Sequence, residues 1–169
     1  VSPYNQTHAM IEDPIWDFHN ELLYGGAANQ IIHEASTNHW LCTVNKTSVY
    51  VKNTSTTQEY WDKVILPQAN TYVQTIFPIR EKLLLIADQG MYLYPAFYQK
   101  PNQFEKVEFP PTSKTVKIIQ TSLSGQGTIY WIATNHGLYY STETEQLEAS
   151  NLHWNNSDFP MNVEMKDLW

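Results

Sequence analysis

An all-β fold follows from three observations on this chain. Runs of five or six residues rich in Val, Ile, Thr, Tyr and Phe alternate with polar or Gly-containing breaks, the usual strand signal. No long segment sustains the 3.6-residue period of an amphipathic helix, so helix content should be very low. A group of four such runs recurs every 40 to 50 residues, which is the spacing of a four-stranded unit repeated along a chain.

The first complete unit reads IIHEA at 31 to 35, HWLCTV at 39 to 44, a polar turn and SVYVKN at 48 to 53. It closes on Trp61-Asp62-Lys63-Val64-Ile65-Leu66-Pro67. Six residues beyond Pro67, Val73 opens the second unit, with strands expected at 73–77, 83–87 and 90–94 and a closing segment Phe104-Glu105-Lys106-Val107-Glu108-Phe109-Pro110. Six residues beyond Pro110, Val116 opens the third, with strands at 116–121, 129–133 and 137–141 and the segment from Trp154 to Pro160.

Two independent anchors set the register. The closing segments share an aromatic, four variable positions, Leu or Phe, and then Pro, with the prolines 43 and 50 residues apart. Ser48-Val49-Tyr50, Gly90-Met91-Tyr92 and Gly137-Leu138-Tyr139 align as well, with the tyrosines 42 and 47 residues apart. A sheet with two apolar faces must bury both against neighbours, so the repeat predicts β-propeller blades of four antiparallel strands. Proline at the end of each unit suits an outer edge strand, where a missing N–H costs no ladder bond.

The expected organisation is a segment 1–30, blades at 31–67, 68–110 and 111–160, and the start of a further blade at 161–169. IWDFHNELLYGG at 15 to 26 reads as the hairpin of a preceding blade. Propellers close with about four to eight blades, so a chain with about three complete ones is expected to be a fragment of a larger propeller. The alternative is a small ring or an open array completed by the flanks. Exposed blade faces on a fragment would promote self-association or a homodimer.

Composition narrows the function. The 169 residues are 42% apolar and 14% aromatic, enough for a sizeable core. Net charge is −7 and the ten Lys and Arg are scattered, so no basic stripe could neutralise a phosphate backbone, which argues against nucleic acid. The lone cysteine, Cys42, lies in an apolar run and reads as a buried structural thiol. No window approaches 18 apolar residues, and VSPYNQTHAM lacks the charged-then-apolar pattern of a signal peptide. Four sequons, at Asn5, Asn45, Asn53 and Asn155, would be glycan acceptors in a eukaryotic secreted protein, but an Asn- and Thr-rich chain also produces them by chance.

Catalytic and metal-ligating patterns are thin. His33 and His39, with Glu34 between them, invite a metal reading, yet a spacing of six along a strand and its turn does not converge on an ion. His8, His19, His136 and His153 lie in unrelated units, so no metal site is expected. Glu12-Asp13, Glu143, Glu145 and Glu148 supply carboxylates that a glycosidase would need, but they sit in segments that read as solvated loops. No Gly-rich phosphate loop, nucleophile elbow or zinc-helix motif is present, so neither catalysis nor a cofactor is expected. Aromatics that recur with the repeat (Tyr50, Tyr92, Tyr139; Trp61, Phe104, Trp154) read as packing. Phe97 and Tyr98, in the aperiodic PAFYQKPNQ, are the better ligand-binding candidates.

LLLIADQGMYLY (83–94) and IYWIATNHGLYYS (129–141) resemble the two-component regulator propeller repeat, in which Leu-Trp-Ile-Gly-Thr is followed by two polar residues and Gly-Leu-Tyr. Trp131-Ile132-Ala133-Thr134, Asn135-His136 and Gly137-Leu138-Tyr139-Tyr140 match it best, with Ala133 where that family has Gly. The 83–94 copy has no Trp and, aligned on its Ile-Ala pair, a turn one residue shorter; the 39–51 copy has no Gly. The resemblance spans roughly residues 31 to 169. It implies the periplasmic or extracellular sensor region of a bacterial membrane signalling protein, such as a hybrid histidine kinase or diguanylate cyclase. On that reading the segment is non-catalytic, meets an unidentified small molecule, glycan or protein, and touches the membrane only through segments outside this chain.

Two other classes compete with it. A carbohydrate-binding or carbohydrate-active propeller, lectin or glycosidase, would use the aromatic surface. A WD-type protein-interaction scaffold suits the period, but no unit ends its third strand on Trp-Asp; Trp16-Asp17 and Trp61-Asp62 lie elsewhere.

Overall fold

The computed structural model describes residues 26–54, 61–99, 102–109, 115–123, 127–143 and 148–157. These residues are all-β and contain no helix. Twelve strands form three antiparallel sheets of four, each in simple sequential order. Sheet 1 holds β1 (Ala28–Glu34), β2 (His39–Val44), β3 (Ser48–Asn53) and β4 (Asp62–Lys63). Sheet 2 holds β5 (Val73–Ile79), β6 (Lys82–Ala87), β7 (Gly90–Tyr94) and β8 (Glu105–Val107). Sheet 3 holds β9 (Thr115–Leu123), β10 (Gly127–Thr134), β11 (Gly137–Glu143) and β12 (Asn155–Asn156).

The outermost strands are the shortest, and β4 stops before Pro67 and β8 before Phe109, so these two residues lie beyond the ladder rather than in it. A two- or three-residue edge offers few unpaired backbone groups to another chain. The expected register of the third strands holds: Tyr50 pairs with Cys42, Tyr92 with Leu85 and Tyr139 with Ile132.

One sequence expectation is corrected. Ala87 pairs with Gly90 and Thr134 with Gly137, so both hairpins have two-residue turns and the 83–94 copy is not shorter there. Ala87 stands where sheet 3 has Thr134, and matching on the Ile-Ala pair shifts the copies by one. Gly90 and Gly137 follow their turns at φ of 136° and 133°, a region that only glycine enters readily. Sheet 1 needs no glycine because Asn45 and Lys46, inside a longer turn, take the positive φ values of 53° and 56° instead.

Alternation along the strands determines how the sheets stack. In β6 every residue from Leu83 to Ala87 is buried. Leu83, Leu85 and Ala87 join Leu41, Val49 and Val51 of sheet 1 in one core, while Leu84 and Ile86 join Ile118, Tyr130 and Ile132 of sheet 3 in another. With a side-chain period of two, one strand feeds two separate cores only when both faces of its sheet are covered. Each sheet thus has a backward face, toward the sheet before it, and a forward face, toward the sheet after it. Val49 and Met91 face forward in equivalent positions, and Tyr92 faces backward.

The first strands of successive sheets lie side by side, β1 against β5 and β5 against β9. Sheets 1 and 2 are also held at both edges by polar bonds. On the inner side, Gln30 donates from Nε2 to the Ile76 carbonyl at 3.0 Å and accepts the Ile76 N–H at 3.0 Å, imitating a strand partner. On the outer side, the buried Tyr94 hydroxyl donates to the Ile65 carbonyl at 2.8 Å and the Ile65 N–H donates to Asn102 Oδ1 at 3.0 Å. Between sheets 2 and 3 the closing segments meet directly, Phe109 edge-on to Trp154 at 5.9 Å. There the Phe before the proline of one closing segment packs with the aromatic that opens the next.

Candidate functional site

At one end of sheets 1 and 2, the turn after β1 (residues 35–38) meets the connection after β7 (residues 95–99), and several chemically distinctive side chains gather there. His39, first residue of β2, points forward and is buried. The Tyr98 ring stacks on it at 5.0 Å and 25°, and the Phe97 ring meets it edge-on at 5.8 Å. Tyr98 is half-buried and its hydroxyl lies 3.4 Å from Glu81 Oε2. Phe97 is 1% exposed and belongs to the core between sheets 1 and 2. Of the two aromatics singled out in the sequence, only Tyr98 therefore presents a face outward; Phe97 supports it from below.

His33 and His39 do not converge. Neighbouring residues of a strand point to opposite faces, and the pairing of His33 with Trp40 places both on the backward face of sheet 1, where their rings stack at 4.8 Å. His33 Nε2 lies 3.2 Å from Asn38 Oδ1. Glu34 is turned to its own loop, accepting from the Ser36 N–H at 2.9 Å and from its hydroxyl. Among the described residues no group of three or more His, Cys, Asp or Glu is arranged to hold a metal ion.

His39 Nδ1 and Thr37 Oγ1 are both buried without a hydrogen-bond partner. Burial lowers the His39 pKa below its ordinary value of 6.5, and the Thr37 backbone, a contact that favours the cation, opposes this only in part. A folded pKa lowered for a base means that the unfolded chain binds the proton more readily. The stability gained from neutral His39 is therefore complete above about pH 6.5 and is lost as pH falls from there toward the folded pKa. Urea denaturation at pH 7.5 and pH 5 should show lower stability at the acid value, and His39→Gln should flatten that difference. An unchanged pH dependence in the variant would exclude His39 as its source.

The remaining candidates are dispersed. His136, in the turn after β10, and His153, in the connection before β12, are exposed, as is Glu148; Glu143 ends β11 instead of standing in a loop. His8, His19, Glu12, Asp13 and Glu145 lie outside the described residues. Cys42 is buried, and burial raises its thiol pKa, as a packing residue requires. Asn45, of one sequon, has its amide engaged: its Oδ1 accepts the Ala27 N–H at 2.8 Å.

That last bond exposes a repeated position that the sequence reading passed over. Asn45 also donates its own N–H to the Ala27 carbonyl at 2.9 Å. Asp88 makes the same reciprocal pair with Tyr72, its N–H donating to the Tyr72 carbonyl at 3.0 Å and its Oδ1 accepting the Tyr72 N–H at 3.1 Å. Each side chain closes the mouth of its sheet by a long-range bond to the residue preceding the first strand. Asn135 occupies the matching turn position. The recurrence at 45, 88 and 135 was available in the sequence, but Asn and Asp are common in turns and do not stand out.

A cavity of about 240 Å³ lies at the other end, between the turn after β2 and the connection after β4, lined by Thr47, Lys63, Val64, Ile65, Leu66 and neighbours. It is smaller than the roughly 300–1,000 Å³ of sites that enclose a drug-sized ligand. Beside the connection, Lys46 Nζ stands 5.5 Å over the Tyr72 ring, a cation–π contact across the surface.

No family model, curated protein or solved structure matches this chain. Its chemistry is therefore read from its own residues.

Proposed function

We propose that the three sheets are blades of a β-propeller and that the chain is a ligand- or partner-sensing, non-catalytic segment of a bacterial membrane signalling protein, working outside the cytoplasm. The observation that carries the reading is the repeated stacking: the forward face of one four-stranded sheet packs on the backward face of the next, twice, with first strands adjacent. Propeller blades pack in this manner around an axis. The sequence resemblance supplies the signalling context. A ligand or partner at the loop ends or between blades would act by favouring one arrangement of a dimeric receptor over another.

The test is the gene on either side of Val1 and Trp169. Further blades, a membrane-spanning segment and a kinase or cyclase module are expected; absence of both the span and the signalling module would overturn the reading. A carbohydrate-binding propeller is the second reading, favoured by the half-buried rings of Trp40 and Tyr98 near one end. A glycan array with wild type and Tyr98→Ala separates the two: a lectin should show a defined glycan signal that the variant loses, at a cost of on the order of tenfold or more in affinity.

A further inference from the structure

We infer that the cavity between the turn after β2 and the connection after β4 binds a small carboxylate with a short apolar chain, the head on Lys63 and the chain on Ile65 and Leu66. The inference stands on this cavity alone and holds whether or not the chain belongs to a receptor.

The cavity exists because sheet 1 departs from the repeat. Asn45, Lys46 and Thr47 separate the paired Val44 and Ser48, whereas the corresponding turns of sheets 2 and 3 have two residues. Within the longer turn Asn45 and Lys46 both take positive φ, uncommon for residues other than glycine. The surroundings hold it there. Asn45 donates its N–H to the Ala27 carbonyl at 2.9 Å, Lys46 to Asn29 Oδ1 at 2.7 Å and Thr47 to the Val44 carbonyl at 3.1 Å, while the Lys46 carbonyl accepts the Val73 N–H at 2.6 Å. A strained turn fixed on several sides is a wall that a ligand meets already formed.

The opposite wall departs from the repeat as well. Ile65 stands where the other two closing segments have Glu108 and Asp158. Its backbone is fixed by Tyr94 and Asn102 of sheet 2, and Val64 and Leu66 on either side pack on the core between sheets 1 and 2. The Ile65 side chain is 50% exposed. Sheet packing does not call for an isoleucine there, since the exposed Glu108 serves the equivalent place in sheet 2. Contact with an apolar ligand does.

Charge selects the head group. Lys63 lines the cavity, and Lys46 on the turn holds a second ammonium over the Tyr72 ring. No carboxylate lines the cavity, and among the described residues none pairs with either lysine. Asp88, which also meets Tyr72, accepts that residue's N–H. Thr47 and Gln68 add side-chain donors to the lining. On a chain of net charge −7 this is a local cationic spot, and local charges dominate when screening sets in over about 8 Å. An amine would find no anion in the lining, whereas a carboxylate finds a cation and donors. Volume sets the chain length: a dry cavity of about 150 Å³ takes benzene, so one of about 240 Å³ suits roughly four to eight carbons.

An NMR titration of the isotope-labelled 169-residue chain with hexanoate, hexanol and hexylammonium tests this. Hexanoate should saturate with a Kd on the order of 1 mM, its amide shifts centred on residues 45–48 and 63–69, and the alcohol and the amine should bind at least about tenfold more weakly. Lys63→Gln should weaken hexanoate on the order of tenfold, and Ile65→Glu, which copies sheet 2, should abolish saturation up to about 10 mM. Both side chains are exposed, so the variants should keep the wild-type amide spectrum away from the cavity, which shows that they are folded. No saturable hexanoate binding, equal binding of the alcohol or the amine, shifts centred elsewhere, or binding unchanged in either variant would each overturn the inference.

Discussion

Leu84→Ala and Leu85→Ala are each expected to lower the free energy of unfolding by about 3 to 4 kcal/mol, although the two residues are neighbours on one strand. In a sheet with one solvated face, alternation would make one of the pair costly and the other nearly neutral. Here both are fully buried, Leu84 in the core shared with sheet 3 and Leu85 in the core shared with sheet 1. Each truncation removes transfer free energy and leaves a cavity, and the neighbouring sheet, itself packed on its inner side, can close that cavity only in part. Chemical denaturation checks the pair. If either variant lost less than about 1 kcal/mol, β6 would have a face that is not packed.

Gly90→Val and Gly137→Val should each cost about 1 to 3 kcal/mol, from backbone strain and not from a clash. A Cβ on Gly90 would meet only the flexible Cε of Lys106 at 3.5 Å, and one on Gly137 only Asn156 Oδ1 at 3.9 Å, so there is room. The φ values of 136° and 133° remain, and a β-branched residue is especially poor there. Ser48 opens the corresponding strand of sheet 1 without a positive φ, because the longer turn places the unusual backbone at Asn45 and Lys46. Ser48→Val should therefore change stability by less than about 0.5 kcal/mol. Thermal unfolding of the three variants gives the comparison; equal effects at 48, 90 and 137 would show that the glycines are not selected by backbone geometry.

Much of this architecture was legible because strand signals are local. The runs HWLCTV and GMYLY coincide with β2 and β7, since an apolar run bounded by turn residues specifies its own limits. Turn length was misjudged because Ala87 resembles Ala133 in identity while occupying the place of Thr134. Phe97 was legible only as an aperiodic aromatic; its burial depends on β2 being 58 residues upstream and folded against it. Gln30 gave no signal at all, because its partner is the backbone of Ile76, and a backbone group has no residue type to recognise.

The sequence by itself determined the strand order within each sheet and the register of the third-strand tyrosines. These depend on side-chain period and turn chemistry, which are properties of short stretches. Only the tertiary structure decided which equivalent residues are equally buried. Ile31 and Ile76 share a repeat position and a side chain, and they differ because Ile76 has sheet 1 stacked on it while, among the described residues, no sheet covers Ile31. Burial is a property of the neighbour, and in a repeat the neighbour of each unit is another unit, so the same residue type at the same position is buried only where that neighbour is in place.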